Sequence, residues 1–166
     1  MEKLIEKKLA ERGVSIEKIA EIVYVLQERY VEGLTLMECR EAVRAVFKKR
    51  EVQHAVLTGI ALDILAEKNA LPSPLLEIIR NDESLYGIDE VLAFAITNVY
   101  GSIGLTNFGY LDKTKLGIIG ELNNGKNKQV NTFLDDLIAA IAAAASARLA
   151  HSIDGNIYLN YLNESD

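Results

Sequence analysis

Three short acidic groups carry the chemistry this chain could do. Asp89 and Glu90 are adjacent, Asp112 stands beside Lys113 and Lys115, and Asp135 and Asp136 are adjacent. An uncharged apolar run follows each acidic pair. That pattern puts the pairs in the first turns of buried helices, where the helix dipole favours anions. Five carboxylates brought to one end of a bundle would repel one another unless a cation neutralised them. Oxygen-only donors select Mg²⁺, with Mn²⁺ as the alternative, over zinc or copper. Mg²⁺ on carboxylates keeps waters and takes phosphate oxygens as its remaining ligands. Asp89, Glu90, Asp112, Asp135 and Asp136 are therefore the candidate metal ligands, with Glu90 also the candidate base that orients a water. Lys113 and Lys115 would meet phosphate as point charges, and Asn107 and Thr106 would add neutral hydrogen bonds. The reaction these groups suit is metal-assisted phosphoryl transfer to water. Two other readings use the same residues: a non-catalytic metal- or phosphate-binding regulatory module, and a plain helical scaffold in which every acidic pair is a cap.

The element that must position Asp135 and Asp136 is the stretch from Thr132 to Ala150, TFLDDLIAAIAAAASARLA. Alanine is the strongest helix former. A helix apolar all round must be surrounded by protein or lipid. Its charge-free part, Leu137 to Ala147, is 11 residues. That is roughly 16 Å, about half a bilayer core, so protein surrounds it. Thr132 is the expected N-cap. The helix carrying Asp89 and Glu90 repeats this design: no charge occurs from Val91 to Leu111. Thr97, Asn98, Gly101, Ser102, Gly104 and Asn107 make that stretch a poor membrane span. The expectation is a buried helix to about Ile103, then a glycine-rich loop holding Asp112, Lys113 and Lys115.

The remaining sequence predicts an all-α, single-domain bundle of about six helices around residues 132–150. One domain covers residues 1–151, its motif-bearing part residues 86–150, and a tail residues 152–166. The 166 residues suffice for one sizeable core, and only two prolines interrupt them. Glu2 to Arg12 is a short helix stopped by Gly13. Ser15 caps a second, ending near Tyr30. Thr35 and Glu38 form a capping box for a third, which the sequence allows to run on to about Lys68. Gly59 within it serves close helix contact. His54 and Asp63 in this segment are read as packed residues first. Pro72 and Pro74 mark a connector before a short helix ending at Asn81, and Asn81 to Ser84 form a polar loop. Ile118 to Asn123 is a helical turn, residues 123–131 a polar linker, and the tail turns at Asp154-Gly155.

Composition excludes several classes. Net charge is -6 and pI about 5.0, which argues against a nucleic-acid partner or an anionic-membrane surface. One cysteine, Cys39, rules out an internal disulfide, and two histidines rule out a histidine-rich metal site. The charged, amphipathic N-terminus has no signal-peptide core, which points to the cytoplasm. Peripheral membrane contact stays open, and the apolar content and tail are compatible with a homodimer.

The segments YGIDEVLAFAITNVYGSIGLTNFGYLDKTKLGII and TFLDDLIAAIAAAASARL resemble the phosphatidylglycerophosphatase A family. The chain as a whole is similar to that family's soluble branch, the low-temperature-requirement protein C group. The resemblance implies Mg²⁺-dependent removal of phosphate from phosphatidylglycerophosphate, so the expected ligand is a phosphorylated small molecule or lipid head group. The family's Asp-Glu pair falls on Asp89 and Glu90, its aspartate-x-x-lysine motif on Asp112 and Lys115, and its Asp-Asp pair on Asp135 and Asp136. The chain has Gly109 where the family usually has an arginine, and Leu116 where it usually has a proline.

Overall fold

The buried alanines of the last helix decide the architecture. In this computed structural model, residues 1–124 and 129–163 are described, with side chains through Ser152. The elements are α1 (Glu2–Glu11), α2 (Ile16–Gln27), α3 (Leu36–Phe47), α4 (Arg50–Glu67), α5 (Leu75–Asn81), α6 (Ile88–Thr97), a 3₁₀ turn (Asn98–Tyr100), α7 (Gly101–Thr114), α8 (Ile118–Asn123) and α9 (Leu134–Asn163). No strand occurs among the described residues, and the molecule is one all-α domain. Ala139, Ala140 and Ala142 to Ala145 are all fully buried. Six helices, α2, α3, α4, α6, α7 and α8, pack directly on α9. Small side chains allow this because each removes bulk between helix axes without leaving a polar group to satisfy.

The expected ring of about six helices around the alanine-rich helix is present, with α1 and α5 as additional short helices. Several local expectations are corrected. The segment expected to run unbroken from Thr35 to Lys68 divides into α3 and α4. Lys49 is extended there (φ -76°, ψ 129°), and Gln53 Nε2 donates to Phe47 O at 2.7 Å, tying the freed end of α3 to the start of α4. The expected glycine-rich loop is instead α7. Its buried Gly104, Phe108 and Leu111 form one helical face, and packing on α9 outweighs the low helix propensity of glycine. The stretch Ile88–Thr114 is long and apolar enough to cross a membrane, yet the 3₁₀ turn and Gly101 (φ 73°) divide it. It is also not the fully buried element expected, since Val91, Phe94, Val99 and Leu105 are all exposed. The turn expected at Asp154-Gly155 is absent, because α9 continues as helix through it. Part of the expected linker, residues 125–128, lies outside the described residues, as do the tail's side chains after Ser152.

Gly59 sets the distance between α4 and α9. A Cβ built there would collide with Leu137 Cδ1 and lie 2.9 Å from Phe133 Cβ. Phe133 Cβ is anchored to backbone and cannot swing away, so α9 would have to move. Gly59→Ala is therefore expected to destabilise the fold by about 1–3 kcal/mol, the usual cost of overpacking a core. Urea denaturation measures this, and an unchanged midpoint would refute the close-contact account.

Candidate acidic centre

Gly87, with φ 70°, is the N-cap of α6 and places Asp89 and Glu90 in its first turn. The left-handed backbone suits glycine and turns the chain sharply before the acids. Asp135 and Asp136 occupy the first turn of α9. Lys115 ends α7 in the left-handed region, at φ 48°. For a lysine that conformation is costly and marks a place where the surroundings dictate the geometry. These three chain segments meet at one end of the bundle.

Ligand oxygens of Asp89, Glu90 and Asp136 lie within 4.8 Å of one another. Asp112 and Asp135 do not join that trio. Lys115 Nζ takes them, donating to Asp112 Oδ1 at 2.8 Å and Asp135 Oδ2 at 3.0 Å, with Asp136 Oδ1 at 3.5 Å. The five acids thus divide into three carboxylates that approach one another and two held by a lysine, with Asp136 shared. Asp89 Oδ1 and Glu90 Oε2 are buried without a hydrogen-bond partner, a costly state that calls for a cation, proton or water. Lys113 is exposed and forms no ion pair among the described residues. Asn107 is half-buried on α7 with its Nδ2 unpartnered.

The electrostatics follow from burial. Asp89, Asp135 and Asp136 are 7%, 4% and 4% exposed. Burial, then the neighbouring Glu90, pushes the Asp89 carboxyl above its ordinary range. Burial pushes Asp135 up to about 6 despite the opposing pull of Lys115. Burial, with the repulsion of Asp135, raises Asp136 as well. Loss of solvent opposes the Lys115 charge, but Asp135, Asp112 and Asp136 outweigh it and hold the ammonium protonated well above the lysine range. Asp82, which follows α5 at φ 50°, feels Lys115, Glu90 and Asp112. It is a sixth acid of the group that its polar loop, NDES, gave no reason to single out.

Asp63 proves to be the cap of α9. It is fully buried, and its Oδ1 and Oδ2 accept from Phe133 N at 3.2 Å and Leu134 N at 3.1 Å. Thr132, the expected cap, donates its hydroxyl to Ile79 O instead. The signal for Asp63 was present as a lone charge on the apolar half of α4, but its target lies 70 residues away. Burial pushes its carboxyl up to about 8 against the pull of both N–H groups and Arg12. Arg12 completes the clamp: it pairs with Glu67 at 2.6 Å and donates to Asn131 Oδ1 at 2.9 Å, while Glu67 Oε1 also accepts from Val130 N at 2.9 Å.

Two measurements test this arrangement. Asp63→Ala orphans two buried N–H groups, so unfolding free energy should drop by roughly 1–3 kcal/mol for each; a loss below the noise of chemical denaturation would show that water replaces the cap. In metal-free solution Asp136, with a raised folded pKa, stabilises fully below its unfolded value near 4 and loses that contribution as pH rises through its folded value. Asp136→Asn removes the loss. The variant should therefore gain stability relative to the wild type as pH rises from about 4 through neutral, whereas a pH-independent difference would contradict the raised pKa.

The family profile described as Phosphatidylglycerophosphatase A matches residues 8–151. The chain is 54% identical over 151 residues to the Bacillus subtilis protein YutG, covering 91% of each. It is similar to the crystal structure of low temperature requirement C protein from Listeria monocytogenes, with a TM-score of 0.89 and 57% identity over 92% of this chain and 96% of that one. It is likewise similar to the crystal structure of Bacillus subtilis ypjQ, at TM-score 0.88 and 55% identity over 93% and 95%. With its acids at the mouths of α6 and α9 and its Asp-x-x-Lys motif at the end of α7, the chain belongs to the phosphatidylglycerophosphatase A family.

Proposed function

We propose that the protein is a divalent-metal-dependent phosphatase that hydrolyses a phosphomonoester, with phosphatidylglycerophosphate as the substrate its family suggests. The single observation that carries the reading is the trio of Asp89, Glu90 and Asp136, whose ligand oxygens lie within 4.8 Å while Asp89 Oδ1 and Glu90 Oε2 have no partner. An all-oxygen, anionic donor set of this kind fits Mg²⁺, or Mn²⁺, and would hold it through these three residues. When bound, that ion supplies Lewis-acid stabilisation of phosphoryl oxygens and lowers the pKa of water.

The remaining roles belong to side chains. Glu90 Oε2, free of other partners, accepts a hydrogen from the attacking water and orients it. Lys115 neutralises charge gathering on the phosphoryl oxygens, and its position is set by Asp112 and Asp135. Asp112 acts as that lysine's orienting partner, and Asn107 Nδ2 has a free donor to offer a phosphate oxygen. The exposed apolar side chains Ile88, Val91 and Phe94 lie on the helix that carries Asp89 and Glu90. They support peripheral contact with a lipid surface.

The experiment is a phosphate-release assay with and without Mg²⁺ or Mn²⁺, on a soluble phosphomonoester and on phosphatidylglycerophosphate in vesicles. Turnover should require the metal, and Asp136→Asn should lower it by at least about a hundredfold while leaving the fold intact. Metal-independent turnover, or near-normal turnover by that variant, would refute the assignment. Metal binding with no phosphate release from either substrate would favour the regulatory-module reading.

A further inference from the structure

Beside the acids a polar cleft of about 170 Å³ opens between the end of α5, the end of α8 and the approach to α9. Its walls include Arg80, Asn81, Asp82, Asn123, Gln129 and Asp135. Two of these, Asp82 and Asp135, belong to the acidic group described above, so the cleft and the acids share a wall. Among the described residues that group contains six carboxylates and one cation, Lys115, which already serves three of them. A phosphomonoester dianion entering such a field needs a positive charge on its own side, or repulsion offsets whatever the metal contributes. On α7, Gly109 has no side chain to offer, and Lys113 is exposed without an ion pair among the described residues.

Among the described residues of the cleft wall, Arg80 is the basic one. Its Nη2 donates to Ala66 O at 3.0 Å, which anchors the guanidinium to the end of α4. It forms no ion pair within 4.0 Å among the described residues, although Glu77, one turn earlier on α5, feels its charge. The Arg80 side chain is otherwise exposed, and the planar fork of a guanidinium matches two phosphate oxygens at once. Neighbouring polar groups of the cleft are spent on the fold: Thr132 on Ile79 O, and Asn131 on Arg12 and Leu122 O.

We propose that this cleft is a phosphate-binding subsite and that Arg80 is its anion-binding residue, meeting the oxygens of the phosphomonoester next to Lys115 and Asp135. The inference rests on the phosphatase reading, and it gives the site the arginine that α7 does not carry at Gly109.

The test is binding of inorganic phosphate, of glycerol 3-phosphate and of vesicles bearing phosphatidylglycerophosphate to Mn²⁺-loaded wild type, Arg80→Ala and Arg80→Lys, followed by calorimetry or sedimentation. Arg80→Ala should weaken all three by about tenfold or more, the worth of a hydrogen-bonded charge contact. Arg80→Lys should recover part of the loss, because it keeps the charge and loses the fork. Mn²⁺ affinity should stay within about twofold of the wild type, which also reports that the fold is intact. Phosphate affinity unchanged in Arg80→Ala, with the wild type binding normally, overturns the proposal and leaves the phosphatase reading standing. Loss confined to the vesicles also overturns it, since Arg80 would then read the lipid surface and not the phosphomonoester. A wild type that binds Mn²⁺ but none of the three ligands removes both readings together.

Discussion

A helix that begins inside a protein exposes N–H groups that nothing in its own backbone can satisfy. For α9 this is the governing constraint, because residues Phe133 to Ala147 are all buried. The carboxylate of Asp63, from the middle of α4, meets two of those N–H groups. Gly59, one turn earlier on the same helix, leaves room for Phe133 and Leu137 to lie against it. Cap and close approach thus come from one face of one helix. They fix where α9 starts, and so where Asp135 and Asp136 point.

The second half of the clamp is Arg12. Glu67, paired with Arg12, also accepts from Val130 N, and Asn131 bridges Arg12 to Leu122 O. The chain entering α9 is therefore tied to α1, α4 and α8 before the helix begins. Such a network is costly to leave half-made, so its members act together. Its effect is to hold a dense negative charge in place: α9 cannot relieve the repulsion between Asp136 and Asp89 by sliding away.

That rigidity is what turns an unfavourable charge distribution into a useful one. Burial raises the pKa of Asp89, Asp135 and Asp136 together, so the acids share too little compensation among themselves. Lys115 offsets part of the charge from the end of α7, in a backbone conformation lysine seldom adopts. The trio left over, Asp89, Glu90 and Asp136, is the part without an internal solution. Perturbed carboxylates with open lone pairs, held by a stiff scaffold, are a pattern expected at functional sites more than at structural ones.

The all-α class, the buried alanine helix and the acidic pairs at helix mouths were legible in the residue order, because propensity, apolar periodicity and capping act over a few residues. The family motifs on Asp89, Glu90, Asp112, Lys115, Asp135 and Asp136 came from the resemblance to a known family, not from those local rules. Where local rules were in conflict the reading failed: glycines suggested a loop where packing on α9 makes α7, and nothing ruled out one long helix where Lys49 divides α3 from α4. Which acids approach one another and which are held by Lys115 could not be read at all, since Lys115 lies 21 residues from Asp136, Asp89 lies farther still from Asp136 in the chain, and they meet only when the bundle closes. The same holds for Asp63 and Asp82. Their residue types are unremarkable in their own segments, and their significance comes from long-range distances that follow from how the helices pack around α9.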